Sequence, residues 1–425
     1  MAMAAFFRRL FGQSRCCKPE FKLGPNFTVV KKLGDGGEGE VWLCIDEEVA
    51  QLVAVKLMRR ELPAWKQVMI MREIQIQSQL AAGHPGLVEP RELLLTSSHI
   101  ALVSEYVPGG SLAEYCKKHA VSEDLACYFF RQLVSVIEFC HEHRVAYRDV
   151  KLENTLLDKA DPPRLKLCDF GVARKWERKD TPKMNTLVGT PGYLSPQVLD
   201  TLFKEGGGGG EEGARAGPSY DACKQDVWGC GCILTFLLIQ HMPYDYDSIA
   251  ARRPPGEALR MAWELEHRRK WQDATSRAEG LSAELTDLLD RIFTGDEEAR
   301  IGIEGIKRHA WFNRPLPPKY GRALARFDAE LAARAERYAT DTAQHREGRN
   351  AAVDALLMGE AARPHRGPAG LAHRLPLLPP REPSVHALRR TSLSSKFLFS
   401  RSAAKNKPAH RCLMSAPHLS ITPSP

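Results

Sequence analysis

The stretch YRDVKLEN, residues 147–154, is the most informative part of this 425-residue chain. It places Arg148, Asp149, Lys151 and Asn154 within seven residues. Phosphoryl transfer to a hydroxyl requires a carboxylate that orients and deprotonates the hydroxyl, and a cation near the transferring group. It also requires a neutral oxygen ligand for magnesium. Asp149, Lys151 and Asn154 suit these tasks in turn, so the stretch predicts a site of phosphoryl transfer.

The stretch RLKLCDFG, residues 164–171, supplies a second candidate metal ligand. Asp169 lies fifteen residues after Asn154 and follows an apolar, strand-like run. An isolated Asp-Phe-Gly is common and carries little information. At this spacing and behind a strand, the carboxylate of Asp169 is interpreted as a hard oxygen ligand that bridges magnesium to phosphates.

Three glycines between two predicted strands form a candidate phosphate loop: Gly34, Gly36 and Gly39, followed by Val41. Glycine lets the backbone approach a phosphate closely and leaves amide N–H groups free to bind it. The pattern alone is weak, because ordinary hairpins contain similar glycines. Glu38 at the tip of the loop would also oppose an anion there.

Lys56 ends the apolar run VAVK, which is predicted to be the next strand. A lone lysine at the end of a strand is usually solvated. Here its distance from the glycines and the apolar approach favour a cation that pairs with the α- and β-phosphates, held in place by Glu73 of the following predicted helix.

In this order and spacing, the motifs resemble the signature set of eukaryotic protein kinases. The resemblance covers residues 27–312, about two-thirds of the chain. The stretches YRDVKLENTLLD, RLKLCDFG and RIGIEGIKRHAWF are most similar to calcium/calmodulin-type kinases, and among these to the plant sucrose-non-fermenting-related kinases activated by osmotic stress. YRD and KLEN also occur in the cyclic-nucleotide-regulated kinases, which are the alternative group.

The resemblance implies a serine/threonine kinase that uses ATP and Mg²⁺ to phosphorylate proteins in stress or nutrient signalling. Thr190 would meet the substrate hydroxyl, and Thr186 would be phosphorylated, by an upstream kinase or by the protein itself, to pair with Arg148. A preference for basic residues near the substrate serine or threonine is suggested by Glu153 and Glu114, although solvation explains these two equally well. The resemblance implies that the adenine pocket is lined by Leu33, Val41, Ala54 and Leu156. Ser104 would be its gatekeeper residue, and Glu105 and Val107 would supply the hinge contacts.

The order of strand-like and helical patterns predicts an α+β protein with two lobes, the bilobal protein-kinase fold with a β-rich N-lobe and an α-helical C-lobe. Strand patterns fill residues 27–56, and a helix is predicted over 66–80. Residues 1–26 are an N-terminal extension, 205–218 a flexible glycine-rich insertion, and 313–425 a regulatory or disordered C-terminal tail with a helix over 323–357. The helices predicted for the second lobe cover residues 124–144, 224–240, 256–271 and 283–294.

The composition bears on nucleic-acid binding, cellular compartment and membrane insertion, but it does not indicate a specific function. The net charge of +8 is mildly basic, and no basic stretch is dense enough to predict nucleic-acid binding. Eleven scattered cysteines favour a reducing compartment, so we expect a cytoplasmic or nuclear protein. The apolar run 229–239 is too short to cross a bilayer and is interpreted as a buried helix, so no transmembrane segment is expected.

One departure from the family pattern and two alternative functions are considered. Gln197 replaces the glutamate that usually pairs with the arginine matched here by Arg300, which would turn a charged link into a neutral hydrogen bond. A pseudokinase acting as a scaffold is the alternative of a different class. The presence of every residue needed for phosphoryl transfer opposes it, and the peptide-positioning segment 190–196 opposes a small-molecule kinase.

Overall fold

The computed structural model describes residues 23–36, 39–96, 98–177, 182–204, 218–244, 246–268, 271, 280–340, 348, 350–355 and 373–377. Most of the predicted N-terminal extension, Glu38, the glycine-rich insertion up to residue 217 and most of the C-terminal tail lie outside these residues.

The N-lobe is built on one antiparallel sheet, in the order β1-β2-β3-β5-β4-β12. Its last member comes from the C-terminal tail, and among the described residues six shorter strands form three two-stranded pairs elsewhere. The strands are β1 (Phe27–Gly36), β2 (Gly39–Asp46), β3 (Gln51–Arg59), β4 (Pro90–Leu95), β5 (His99–Glu105), β6 (Val145–Ala146), β7 (Thr155–Leu157), β8 (Leu165–Leu167), β9 (Arg174–Lys175), β10 (Lys183–Met184), β11 (Tyr220–Asp221) and β12 (His373–Pro376).

Helix α1 (Ala64–Leu80) packs its apolar side against this sheet. Ile70 and Ile74 are buried with Met58 of β3 and Leu102 of β5. Burial of side chains of this size stabilises a fold by roughly 2 kcal/mol each. The helix therefore depends on the sheet for its position, which matters because it also carries Glu73.

The C-lobe contains the remaining helices. Helix α3 (Glu123–Glu142) begins after Ser122, whose hydroxyl accepts a hydrogen bond from the N–H of Leu125 at 3.3 Å. The helices are α2 (Leu112–Cys116), α3 (Glu123–Glu142), α4 (Pro196–Phe203), α5 (Ala222–Ile239), α6 (Tyr246–Ala250), α7 (Pro255–Arg268), α8 (Ala283–Ile292), α9 (Ile303–Arg308) and α10 (Pro318–Thr340).

Helix α5 is the central helix of this lobe. Asp221 caps its N-terminus by accepting from the N–H of Cys223 at 2.8 Å, and Gln240 ends it in the left-handed conformation. Within the described residues it is the one helix long and apolar enough to cross a bilayer. Most of that helix is packed inside the C-lobe, with Trp228 and Ile233 both 1% exposed, as the sequence predicted for a core helix.

The C-terminal part of the chain departs from the sequence expectation in two places. Helix α10 begins at Pro318, five residues before the predicted start, and residues 350–355 are again helical. Beyond Arg363 the sequence suggests disorder, yet residues 373–376 form β12 and pair with β4. The free edge of β4 supplies main-chain hydrogen-bonding groups that stabilise this short segment.

Candidate active site

The loop between β6 and β7 is fixed to the C-lobe by one carboxylate. Asp226 of α5 is fully buried and accepts from the N–H groups of Tyr147 at 2.9 Å and Arg148 at 2.6 Å. Its Oδ2 also lies 2.8 Å from Nε2 of His141. Arg148 has a φ of 65°, which is uncommon for a residue other than glycine. The two hydrogen bonds to Asp226 hold the backbone in this conformation just before Asp149.

Asp149, Lys151, Asn154 and Thr190 converge on one another. Asp149 Oδ1 accepts from the hydroxyl of Thr190 at 2.7 Å, and Oδ2 accepts from the Asn154 amide at 3.0 Å. Lys151 Nζ lies 2.6 Å from Asp149 Oδ2 and 2.8 Å from Thr190 Oγ1. A hydroxyl therefore already lies against the carboxylate, beside a cation, in the arrangement that proton acceptance from an alcohol requires.

Lys56 connects the two lobes through charged contacts. Its Nζ lies 2.7 Å from Glu73 Oε1 of α1 and 3.1 Å from Asp169 Oδ1. Glu73 is 2% exposed, so its attraction to the lysine is little screened by solvent. Burial alone would raise the pKa of Asp169, but the charge and hydrogen bond of Lys56, together with the Gly171 N–H, hold that pKa below its ordinary value.

The residues around Asp169 fix its direction. Asp169 has a φ of 62°, and Phe170 is 1% exposed, packed edge-on against Tyr147 with ring centroids 5.2 Å apart. Phe170 is therefore directed into the core while the carboxylate faces Lys56. Burial raises the pKa of the Cys168 thiol to about 12, so this cysteine is a poor nucleophile at neutral pH.

The glycines predicted to cradle phosphate differ in their surroundings. A side chain at Gly34 would meet nothing within 4 Å, so this part of the loop faces open space. A Cβ on Gly39 would lie 1.9 Å from the carbonyl oxygen of Leu57 on β3. Gly39 is thus required by the close approach of two strands, whatever ligand the loop binds.

The residues predicted for the base pocket lie on the strands that surround the cleft. Leu33 is 38% exposed on β1, while Val41, Ala54 and Leu156 are partly buried on β2, β3 and β7. Ser104 lies opposite Ala54 in the β3–β5 ladder and is 8% exposed. Glu105 is the last residue of β5, and Val107, which is 7% exposed, lies in the segment that follows.

The candidate active site offers few oxygen ligands for a divalent cation. In the described part of the chain no three His, Cys, Asp or Glu side chains converge as metal ligands do. Asp169 and Asn154 offer one carboxylate and one amide oxygen, and the backbone joins them through the N–H of Cys168 bonded to the Asn154 carbonyl at 3.0 Å. Magnesium typically takes one or two protein oxygens and completes its shell with water and phosphate, so these residues fit it.

The protein kinase domain family matches residues 27–312 of this chain. The chain belongs to the protein kinase family. Serine/threonine-protein kinase SRK2C of Arabidopsis thaliana is 38% identical to it over 294 residues, which is 68% of this kinase and 76% of the relative. Serine/threonine-protein kinase SAPK1 of Oryza sativa subsp. japonica is 36% identical over 292 residues, 68% and 77% of the two chains. These matches confirm the predicted resemblance to the plant sucrose-non-fermenting-related kinases, and with it the bilobal fold.

The activation segment of this kinase already has an arginine beside its candidate phosphorylation site. Arg148 Nη1 donates to the hydroxyl of Thr186 at 3.0 Å, and its Nε donates to the Val172 carbonyl at 2.7 Å. The hydroxyl of Tyr220 donates to the carbonyl oxygen of Thr186 at 3.1 Å. The segment is therefore held at this point by both the catalytic loop and β11.

The substituted pair in the C-lobe of the kinase is joined by a hydrogen bond to an uncharged acceptor, so the link between two charged groups is absent, as expected from the sequence. Arg300 Nη2 donates to Gln197 Oε1 at 2.6 Å, and the Gln197 amide donates to the carbonyl of Gly295 at 2.6 Å. Arg300 also lies over the ring of Trp228, 4.8 Å from its centroid. The arginine is 2% exposed, so the glutamine replaces the charge of a carboxylate with an added backbone contact.

Several contacts of the kinase were not predicted from its sequence. Lys166 lies 2.6 Å from Glu105 Oε1, next to the segment that joins the lobes. Arg334 of α10 lies 2.6 Å from Glu89, and both are nearly buried. In RLKLC, Lys166 lies between two leucines of a strand, so its side chain points to the opposite face of that strand from theirs. This alternation could have indicated that the lysine contacts a partner on that face. No local signal predicts the partner of Arg334, which lies 245 residues away in the chain.

Glu114 and Glu153 were considered as residues that attract basic substrate side chains, and the structure gives Glu114 another role. Glu114 forms a capping box with Ser111 at the start of α2, where its carboxylate accepts from the Ser111 N–H at 3.3 Å. That role accounts for Glu114 without a substrate. Glu153 lies in the catalytic loop and is exposed.

Proposed function

We propose that this kinase is active and transfers the γ-phosphate of ATP to serine or threonine hydroxyls of proteins. The observation that carries this proposal is the pair of contacts made by Lys56, to Glu73 at 2.7 Å and to Asp169 at 3.1 Å. They join a phosphate-binding cation to a candidate metal ligand 113 residues away in the chain. A protein retained only as a scaffold has no need of this pairing.

The residues of the chain divide the work between binding and proton transfer. Lys56 pairs with the α- and β-phosphates and Glu73 fixes its direction. Asp149 orients the substrate hydroxyl and accepts its proton, while Lys151 stabilises negative charge on the transferred group. Asn154 holds the carboxylate of Asp149 through its amide at 3.0 Å, which keeps the base in one rotamer.

Magnesium, held by Asp169 and Asn154, would neutralise charge on the phosphate oxygens. The backbone supports this assignment, because the N–H of Cys168, next to Asp169, is bonded to the carbonyl of Asn154 at 3.0 Å. The ionised carboxylate of Asp169 also keeps Lys56 paired when the nucleotide is absent.

The choice of serine or threonine over tyrosine rests on Thr190 and Lys151. Their side chains lie 2.8 Å apart and both contact Asp149, so a short aliphatic hydroxyl can reach the carboxylate where the Thr190 hydroxyl now lies. A preference for basic substrates rests on Glu153 alone, because Glu114 caps a helix.

Phosphorylation of Thr186, by an upstream kinase or by autophosphorylation, would switch the enzyme. Arg148 lies 3.0 Å from its hydroxyl, so a phosphate there gains charge-assisted hydrogen bonds and orders the segment that carries Thr190. Thr186→Ala should lower kcat. Unchanged activity of this variant, with wild-type phosphorylation at Thr186 verified by mass spectrometry, would contradict the switch.

We place the kinase in the cytoplasm or nucleus, in stress or nutrient signalling. Eight described cysteines are free thiols, which supports a reducing compartment. The signalling role rests on the sequence resemblance to kinases activated by osmotic stress. Imaging of the tagged chain before and after osmotic shock, with activity measured on the recovered protein, tests both points.

The direct test is a phosphotransfer assay with labelled ATP and Mg²⁺ on an arranged peptide library. Asp149→Asn is the matched control, because it keeps the shape of the side chain and removes the base. We expect labelled serine or threonine peptides from the wild type and a loss of roughly a hundredfold or more in the variant. Equal labelling by the two proteins, or labelling of tyrosine alone, would refute the proposal.

A further inference from the structure

The segment 373–377 completes the N-lobe sheet. Strand β12 runs antiparallel to β4, with His373 opposite Leu95 and Pro376 opposite Glu92. The N–H of Leu377 donates to the carbonyl of Arg91 at 2.9 Å and extends the pairing by one residue. The main-chain groups of β4 that face away from β5 are thus paired by the protein's own tail.

One face of this segment enters the core beneath α1. Leu377 is fully buried, and Leu375 packs against the same apolar cluster. That cluster contains Ile70 and Ile74 of α1 and Val353, which lies in the helical residues 350–355. The tail therefore contributes side chains to the surface that determines where α1 lies.

The other face is attached by charge. Arg374 donates to both carboxylate oxygens of Glu92, at 2.8 and 2.9 Å, and to Glu48 at 2.7 Å. Its guanidinium also lies over the ring of Phe27, 5.6 Å from the centroid. A bidentate pair between a guanidinium and a carboxylate fixes the relative orientation of the two groups and is also energetically favourable. The contacts reach three different parts of the N-lobe, so the segment is fixed in one register.

We propose that residues 373–377 are a built-in strap that positions α1, so that Arg374, Leu375 and Leu377 act as positioning residues for the pair formed by Glu73 and Lys56. Glu73 precedes Ile74, which packs in the cluster that Leu377 completes. Release of the strap exposes this cluster and lets α1 shift, which separates Glu73 from Lys56. The inference rests on the proposed kinase activity.

The occupant of the β4 edge is the tail of the same chain. In residues 373–377, Leu375 and Leu377 fit the apolar cluster and Arg374 pairs with the acidic Glu92. The segment follows α10 in the same chain. Because the tail is covalently attached, its local concentration at the edge is far above that of a free partner. A second copy of the chain, exchanging tails, is an outcome that the test below identifies.

The test uses full-length protein with Leu377→Asp, which places a charge in a fully buried site. Val49→Asp is the matched control, because Val49 lies between β2 and β3 and is 53% exposed. We expect Leu377→Asp to lower kcat by roughly tenfold at a temperature where both proteins are folded, the scale of a shift between two conformers. Hydrogen exchange of the α1 amides should quicken, while that of α3 stays unchanged.

A charge exchange keeps the proposal open to refutation if Leu377→Asp fails to fold. Arg374→Glu should lower kcat, and Arg374→Glu with Glu92→Arg should restore part of it, since the pair is rebuilt in reverse. The inference is overturned if these variants melt at lower temperature but retain wild-type kcat and α1 exchange. A wild type that is dimeric by light scattering, and monomeric in Leu377→Asp, would overturn the assignment to the same chain.

Failure of the proposed activity is recognised separately. If the wild type transfers no phosphate, the kinase proposal falls. Exchange of the α1 amides still reports in that case whether the strap positions the helix.

Discussion

The acid stability of this kinase should depend on His84. The imidazole is fully buried after α1, where Nδ1 accepts from the Gly86 N–H at 3.0 Å and Nε2 lies 3.1 Å from Ser135 Oγ. Burial, and then the charges of Arg334 and Lys166, lower the pKa of His84 to about 3. The neutral ring is therefore the form that the fold accommodates.

The direction of the pH effect follows from the two pKa values. In the unfolded chain the pKa of histidine is near 6.5, so below that pH the unfolded state binds a proton that the folded state does not. The contribution of His84 to stability is complete above the unfolded pKa and is lost as the pH falls toward 3. Each pH unit in this window costs about 1.4 kcal/mol, so the change from pH 6.5 to 5 costs about 2 kcal/mol.

The assay is urea unfolding of the wild type and of His84→Asn at pH 7.5, 6 and 5. Asparagine can accept from the Gly86 N–H without taking up a proton, so the variant should lose about 2 kcal/mol less than the wild type between pH 7.5 and 5. The variant starts from a lower stability, because the ring packs against Phe139 and Phe327, and only the slopes are compared. Parallel slopes would refute the assignment.

Three further outcomes are expected. Ser104→Met should abolish inhibition by bulky purine analogues, because the small hydroxyl leaves room beside the base; equal potency on both proteins in a dose–response assay would contradict this. Gly229→Ala should lower kcat and destabilise the fold by about 1–3 kcal/mol, since its Cβ would lie 2.9 Å from the carbonyl of Val150, next to Asp149. Arg334→Met should cost about 3–5 kcal/mol in urea unfolding by removing a buried partner of Glu89; a loss under 1 kcal/mol would count against this.

The candidate active-site residues could be singled out in the sequence because their proposed roles depend on short spacings and on residue type. Asp149, Lys151 and Asn154 are within one loop, and the chemistry of each side chain limits what it can do there. The same reasoning predicted the neutral link from Gln197 to Arg300, because both partners belong to a familiar pair. Their contacts in the structure have the geometry that those assignments require.

The contribution of the tail could not be predicted in the same way. The run HRLP is short and ends in proline, so neither periodicity nor length distinguishes it from the sequence around it. Its stability comes from the edge of β4 and from Glu92, which lies 282 residues away from Arg374. A segment whose conformation depends on such a distant partner has no local sequence signal.

The chain enters the N-lobe twice, first to form β1 to β5 and again, after α10, to add β12 to the same sheet. In a two-lobed enzyme joined at a single point, the cleft opens by torsion about that joint. Because α10 packs in the C-lobe and β12 pairs in the N-lobe, opening of the cleft moves the two ends of the intervening segment 341–372 relative to each other. Departure of spent nucleotide, which requires the cleft to open, would then be timed partly by residues remote from the nucleotide itself.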